Sequence, residues 1–241
     1  MQTDLTLLIG DSHVRTVQAR RLENKLAGGR LTVPAAQSPR EGSAYTTTRQ
    51  WPGAFYPDSN LAERLPALLA KQPCKSIIVL TPSNNIKNLE KLDSYEQSEL
   101  AIQTALDTVA SVEKALAESP GLEKAVIVEL PPRADSWRLA ELTEFSNFAL
   151  RGAVEKSALS SKITLASLDS LYNHSNEKIF GRRNSRNYKY DGVHLRGKLG
   201  AKLYTESILT AVRAAGLASS HVVNAATDPI LTHNRYSVLS N

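Results

Sequence analysis

The sequence predicts an α/β protein in which helices cover both faces of a parallel sheet. Four short and nearly continuous apolar runs, at residues 5–9, 76–80, 125–128 and 163–166, are typical of strands that are buried on both faces. Helical patterns alternate with these runs, and strand–helix alternation repeated four times favours right-handed crossovers and a parallel sheet. The 241 residues fit one large domain of this class, or one domain with a tail, as well as they fit two domains.

Five helices are expected around the strands, and the connections between them differ in length. The predicted helices cover about 13–27, which Gly28-Gly29 ends, and then 61–69, 94–117, 136–157 and 197–214. Residues 32–57 are rich in Pro, Gly, Ser and Thr and predict a long loop with one weak strand at most; such long loops are often functional. The domain is expected to span 1–216, and 217–241 is interpreted as a tail or an appended segment because it shows no period.

Composition excludes several classes of protein. Hydrophobic residues make up 41% and charged residues 22% of the chain, which is typical of a globular protein and not of a disordered or fibrous one. The single cysteine, Cys74, excludes an internal disulfide and a Cys-rich zinc site and favours a reducing compartment. No segment resembles a signal peptide or reaches the ~20 apolar residues of a membrane span, so we expect a soluble, cytoplasmic protein.

Positive charge is concentrated in one segment near the carboxyl terminus. Residues 178–202 contain eight Lys or Arg and one acid, whereas the rest of the chain has 21 basic and 23 acidic residues. Such a segment can attract nucleic acid, an acidic polymer or an anionic surface, and Tyr188 and Tyr190 within it can stack on bases. A solvated surface is an equally good interpretation. The candidate nucleic-acid-binding or anion-binding residues are Arg182, Arg183, Arg186 and Lys189.

Polar side chains are expected at the sheet edge where ligands bind in parallel α/β folds, beyond the carboxyl ends of the strands. A serine becomes a nucleophile when a base that a carboxylate orients removes its proton, and when donors surround the developing oxyanion. Ser12 is the candidate nucleophile, His194 the base and Asp191 the orienting carboxylate. The backbone N–H of Ser12, the side chain of Asn84 and the backbone N–H of Gly53 are candidate oxyanion donors.

Each of these residues also has an ordinary structural interpretation. Ser12 alone is more often a helix cap, Asp191 a turn residue and Asn84 a loop amide that bonds its own backbone. Their joint occurrence after separate strands favours catalysis. Asp169, at the end of the fourth strand, is the competing carboxylate, and Asp11 suits stabilisation of the turn better than catalysis. No histidine has a partner at metal-ligand spacing, so no metal site is expected.

The same residues resemble the sequence blocks of the SGNH (GDSL-type) hydrolases. The resemblance spans roughly residues 5–214, with the blocks in the family's order and at plausible separations. Pro82 and Asn85 depart from the third block, where the family has glycine and aspartate; neither change removes a group that is assigned to chemistry. The matching blocks are Gly10-Asp11-Ser12, Gly53, Pro82-Ser83-Asn84-Asn85 and Asp191-Gly192-Val193-His194.

This resemblance implies a flavodoxin-like three-layer α/β/α sandwich and an esterase or deacetylase that needs no cofactor. It assigns Ser12, His194 and Asp191 to a triad and Ser12, Gly53 and Asn84 to an oxyanion hole. The expected substrate is a small ester or an acylated carbohydrate or lipid. The segments 10–15 and 190–203 also resemble the esterase-like domains of non-LTR retroelement proteins and related animal proteins.

Two other functions stay open at this stage. Some relatives of the fold have lost the triad and bind RNA, so an RNA-binding or single-stranded-DNA-binding module on the same scaffold is the alternative to the esterase. A pseudoenzyme that only recruits protein partners is the third possibility.

Overall fold

A computed structural model describes residues 5–26, 30–32, 61–71, 73–181, 184–185, 188–189 and 191–218. The strands are β1 Leu5–Ile9, β2 Arg30–Thr32, β3 Ser76–Leu80, β4 Lys124–Val128, β5 Ile163–Ala166, β6 Asn184–Ser185 and β7 Tyr188–Lys189. The helices are α1 Ala19–Glu23, α2 Leu61–Lys71, α3 Ser83–Asn88, α4 Ser94–Glu118, α5 Trp137–Lys156, α6 Asp169–Tyr172, α7 Asn176–Phe180 and α8 Gly197–Ala214.

Strands β1 to β5 form one parallel sheet in the order β2-β1-β3-β4-β5, and β6 and β7 pair as a separate antiparallel hairpin. This is the flavodoxin-like strand order, in which the chain reverses direction across the sheet between β1 and β3. Ligands of such sheets bind at that reversal point, beyond the carboxyl ends of the strands. The segments that follow β1 and β3 are therefore the expected place for a functional site.

Both faces of the sheet are covered by helices. Alternate residues of each strand point to opposite faces, so Ile77 packs under α2, α4 and α5, while its neighbour Ile78 packs under α1, α7 and α8. A third, smaller apolar cluster that includes Ile86 and Leu130 lies under α3. The predicted three-layer α/β/α architecture is confirmed. Within the described ranges, no helix has both the length and the apolar character that crossing a membrane requires.

Sequence periodicity located the four main strands and the long helices closely, but it was wrong for 13–27. That segment is a 3₁₀ turn over Ser12–Thr16 followed by the short α1, because Val17 between them is extended and the backbone N–H of Gln18 donates to the hydroxyl of Thr205 in α8 (3.0 Å). Asn84, for which a loop amide is the ordinary interpretation, lies in the first turn of α3 instead. β2 was not predicted; it ends at Thr32, where the predicted long loop begins, and residues 33–57, with the weak strand expected among them, lie outside the described residues.

Candidate active site at the carboxyl edge of the sheet

Ser12 stands at the first turn after β1, where the chain leaves the sheet. The carboxylate of Asp11 caps this turn by accepting a hydrogen bond from the backbone N–H of His13 (2.9 Å). Gly10 is in close contact with β3, and a Cβ at this position would overlap the side chain of Leu80. Glycine thus lets β1 and β3 approach each other directly beneath Ser12.

Asp191 and His194 lie on a tight turn between the β6–β7 hairpin and α8. One oxygen of Asp191 accepts the backbone N–H groups of Val193 (3.0 Å) and His194 (2.9 Å), so the turn folds around the carboxylate. Gly192 has a φ of +67°, and a Cβ there would collide with the backbone of Asp135. The residue after Asp191 therefore has to be glycine for the turn to keep this shape.

Ser12, His194 and Asp191 form a continuous chain of side-chain hydrogen bonds. The hydroxyl oxygen of Ser12 lies 2.7 Å from Nε2 of His194, and Nδ1 of His194 lies 2.8 Å from the second carboxylate oxygen of Asp191. A carboxylate can only accept, so Nδ1 donates its proton to Asp191 and Nε2 is left to accept from the hydroxyl of Ser12. This is the geometry in which an imidazole can take the proton of a serine.

Electrostatics keep Asp191 ionised. Partial burial raises the pKa of this carboxyl, but the hydrogen bonds from the backbone and ring of His194 and from the backbone of Val193 outweigh burial and lower it to about 2. The guanidinium of Arg196 lies 3.5 Å from the same oxygen that faces His194. A negative charge therefore stands behind the imidazole at every pH of ordinary use. About a third of the His194 and Asp191 side chains is exposed, which leaves the site open to a substrate.

The buried carboxylate of Asp11 joins this site to the start of α3. Its second oxygen accepts the backbone N–H of Ser83 (2.8 Å), the hydroxyl of Ser83 and, more weakly, the backbone N–H of Asn84 (3.3 Å). The first turn of α3 is thereby tied to the turn that carries Ser12, and Asn84 is placed beside it. Asp11 has the supporting role that the sequence predicts for it.

A buried arginine after β4 supports the turn from the other side. Arg133 is paired with Asp135 through its Nε (3.0 Å) and Nη2 atoms, and its Nη1 donates to the carbonyl of Ser83 (3.3 Å). The backbone N–H of Ala134 in the same segment donates to the carbonyl of Gly192 (2.7 Å). The segment 133–135 thus contacts both the start of α3 and the turn of Asp191.

The structure brings together some of the predicted site residues and leaves others undescribed. Ser12, Asp191 and His194 form one cluster with Asn84 beside it, whereas Asp169 binds Arg151 (2.7 Å) and not His194. Lys189 belongs to β7, two residues before Asp191. Gly53, Arg182, Arg183 and Arg186 lie outside the described residues. No group of metal-ligating side chains occurs in the part of the chain that the structure describes.

Sequence reasoning missed the supporting contacts of Arg133 and the position of His13 beside His194. Arg133 follows Pro131-Pro132 at the carboxyl end of β4, the same edge at which Ser12 and Asn84 lie. A charged residue at a strand's carboxyl end is a signal that could have been used for it. The buried ring of His13 lies beside that of His194, and no spacing rule connects residues 181 positions apart.

Comparison with known proteins gives the class of fold. No protein-family model and no curated protein sequence matches the chain. Among solved structures, the family 3 carbohydrate esterase of Clostridium thermocellum aligns with a TM-score of 0.54 at 15% identity, over 88% of this chain and 96% of that one. The family 3 carbohydrate esterase of Talaromyces cellulolyticus aligns with a TM-score of 0.54 at 14% identity, over 89% and 97%.

A third similar structure belongs to an acyltransferase. The C-terminal catalytic domain of peptidoglycan O-acetyltransferase A from Streptococcus pneumoniae aligns with a TM-score of 0.51 at 16% identity, over 91% of this chain and 98% of that domain. The chain therefore has the fold of the SGNH hydrolases, as its sequence blocks predict. The narrower resemblance to retroelement esterase-like domains stays a prediction.

Proposed function

We propose that this protein is a serine hydrolase that cleaves carboxylic esters through Ser12, His194 and Asp191. One observation carries the proposal: the hydroxyl of Ser12, both ring nitrogens of His194 and the carboxylate of Asp191 are connected by hydrogen bonds of 2.7 and 2.8 Å. Ser12 lies on one turn and the pair of Asp191 and His194 on another, and the two turns are far apart in the sequence. A structural serine cap does not need a histidine and a carboxylate aligned behind it.

In the proposed reaction, Ser12 attacks the ester carbonyl while Nε2 of His194 takes its proton. The resulting tetrahedral intermediate collapses when His194 returns that proton to the leaving alcohol, and an acyl-serine remains. Water then attacks the acyl-serine by the same route, which releases the acid and restores Ser12. Asp191 holds the ring of His194 and stabilises its positive charge at both steps.

We assign the oxyanion to donors at the Ser12 turn and at the start of α3. The backbone N–H of Ser12 and the side-chain amide of Asn84 are two of these donors. The hydrogen bond from the backbone N–H of Asn84 to Asp11, which holds Asn84 beside the Ser12 turn, supports this assignment. The third donor, the backbone N–H of Gly53, is proposed from the sequence resemblance. Asn84→Ala should lower kcat by about 10²–10³-fold, the usual effect of losing one such donor.

The proposed substrate class is a small acyl ester of a carbohydrate or lipid. The names of two similar structures describe carbohydrate esterases, and the name of the third describes a peptidoglycan O-acetyltransferase. These names support an acetylated carbohydrate as the first substrate to test. An acyl-serine can pass its acyl group to a sugar hydroxyl as well as to water, so hydrolysis and acyl transfer are both measured.

The decisive experiment compares Ser12→Ala with the wild-type protein on p-nitrophenyl acetate and on acetylated xylan. The change should abolish turnover and also abolish labelling by a fluorophosphonate probe, which reports serine nucleophilicity without any substrate. Ser170→Ala, which removes the hydroxyl of an exposed serine on α6, is the matched control and should react normally. Undiminished turnover or labelling of Ser12→Ala would refute the proposal.

A second candidate function is binding of RNA or single-stranded DNA by the basic segment. It is favoured by one observation: the β6–β7 hairpin within this segment ends two residues before Asp191, so the segment adjoins the serine site. Affinity for a single-stranded oligonucleotide should fall steeply with salt, and replacing Arg182, Arg183 and Arg186 together should flatten that dependence. Absence of binding at low salt would exclude nucleic-acid binding. If neither ester hydrolysis nor oligonucleotide binding is detected, the pseudoenzyme is favoured.

A further inference from the structure

His13 is a buried histidine that the proposed reaction does not use. It follows Ser12 directly, its side chain is almost fully buried, and neither ring nitrogen has a hydrogen-bond partner among the described residues. The centre of its ring lies 5.4 Å from that of His194, with an angle of 32° between the ring planes. Burying a polar ring without partners is costly, so a residue of this kind needs a reason.

The ring of His13 lies between the site and the core. Besides the ring of His194, it lies near the ring of Tyr204 in α8, at 6.3 Å between ring centres. Tyr204 is itself fully buried with an unpartnered hydroxyl. Because Nε2 of His194 already faces Ser12 and Nδ1 faces Asp191, His13 takes no part in the proton path. Its contact with His194 is through the ring.

The charged groups around His13 favour a neutral ring. Burial lowers the pKa of His13, the negative charge of Asp11 opposes this effect, and the positive charge of Arg133, together with that of His194 when it is protonated, adds to it. Asp191 opposes it weakly, and Tyr204 faces the ring from α8. Neutrality matters because His194 becomes positively charged when it accepts the proton of Ser12, and a second charge 5.4 Å away would oppose that step.

We propose that His13 is a positioning residue for His194: its buried ring forms the inner wall that holds the ring of His194 toward Ser12 and Asp191. The inference rests on the proposed hydrolase function. Ser12 and His13 are consecutive residues of one turn, so this short segment positions the nucleophile and also orients the histidine that acts as its base. A small displacement of a reacting group costs up to about 10²-fold in rate, which is the scale of effect expected here.

The test compares three variants by kcat, KM and melting temperature. His13→Ala should lower kcat by about 10–100-fold with KM changed less than about threefold, because orientation of the base is lost and substrate contacts are kept. His13→Phe, which restores a ring without its nitrogens, should recover most of that loss. Ile208→Ala is the matched control: it opens a space in the apolar cluster that contains Tyr204, so it should lower the melting temperature while kcat stays close to that of the wild-type protein.

A measurement on the wild-type protein keeps the inference testable if His13→Ala does not fold. In NMR spectra of the histidine-labelled protein, the ring signals of His13 should show contacts to the ring of His194, and the pKa that they report should lie below the ordinary value of a histidine. Titration of His13 at the ordinary value, or kcat of His13→Ala equal to that of Ile208→Ala, overturns the inference. Full turnover in Ser12→Ala would refute the hydrolase instead, and the NMR result would be unaffected by it.

Discussion

Asp191 shows how one carboxylate can have a structural and a chemical role at once. One of its oxygens accepts two backbone N–H groups and so shapes the turn, while the other orients the ring of His194. The pattern Asp-x-x-His predicts this pairing, because the two residues share a short turn. The distance between His194 and Ser12 could not be predicted, because it depends on how the turns after β1 and β7 pack against each other.

We expect Asp191→Asn to separate the two roles by pH. The folded state lowers the pKa of Asp191 to about 2, below the ~3.9 of an unfolded aspartate. The carboxylate therefore stabilises the fold above about pH 4, and this contribution is lost as the pH falls toward 2. The group is a third exposed, so solvent screening limits the stabilisation to about 1 kcal/mol.

At neutral pH, Asp191→Asn should therefore cost about 1 kcal/mol of unfolding free energy and lower kcat on the order of 10⁴-fold. The stability difference should vanish near pH 2 in urea titrations at several pH values. Asp107→Asn on α4 is the control, because it makes the same change of charge on an exposed helix. A stability difference that persists at pH 2 would contradict the electrostatic explanation.

At the scale of secondary-structure elements, the segment after β4 connects two parts of the site. Arg133 contacts the start of α3, and Ala134 and Asp135 contact the turn at Gly192. Periodicity located β4 and α5 because both bury regular apolar faces, but it contains no information on a loop arginine. The failure at 13–27 has the same origin: contact with Thr205 in α8 decides where that helix breaks.

Arg133→Gln should loosen both contacts of this segment. The change leaves Asp135 without its cation. Breaking an ion pair lowers the free energy of unfolding by about 3–5 kcal/mol when both partners are fully buried. Because Asp135 is partly exposed, we expect a loss of about 2 kcal/mol here. We expect a lower melting temperature together with a roughly tenfold lower kcat. Arg138→Gln, which breaks the more exposed pair with Glu141, should cost 1 kcal/mol or less and leave kcat unchanged. Equal effects of the two changes would contradict a special role for the segment.

At the scale of the whole molecule, the sequence predicts a domain over residues 1–216, and we propose a boundary slightly later. Leu217 packs against the apolar cluster that lies under α8, and Ala218 forms a β-bridge with Leu26. These contacts join the end of the chain's described part to the segment that follows Ser12 and α1. Periodicity stops at the end of α8, so a contact made by two residues after a helix leaves no trace in the pattern.

This packing predicts different outcomes for two truncations. A protein ending at Ala218 should keep the melting temperature and kcat of the full chain, because it retains the contact with Leu26 and the hydrogen-bonded chain from Ser12 to Asp191. A protein ending at Ala215 loses the apolar contact of Leu217 and should be less stable by about 1–2 kcal/mol, as expected for a partly buried leucine. Thermal unfolding and p-nitrophenyl acetate turnover measure both quantities. Loss of activity in the protein that ends at Ala218 would contradict this prediction and show that residues 219–241 contribute to the site itself.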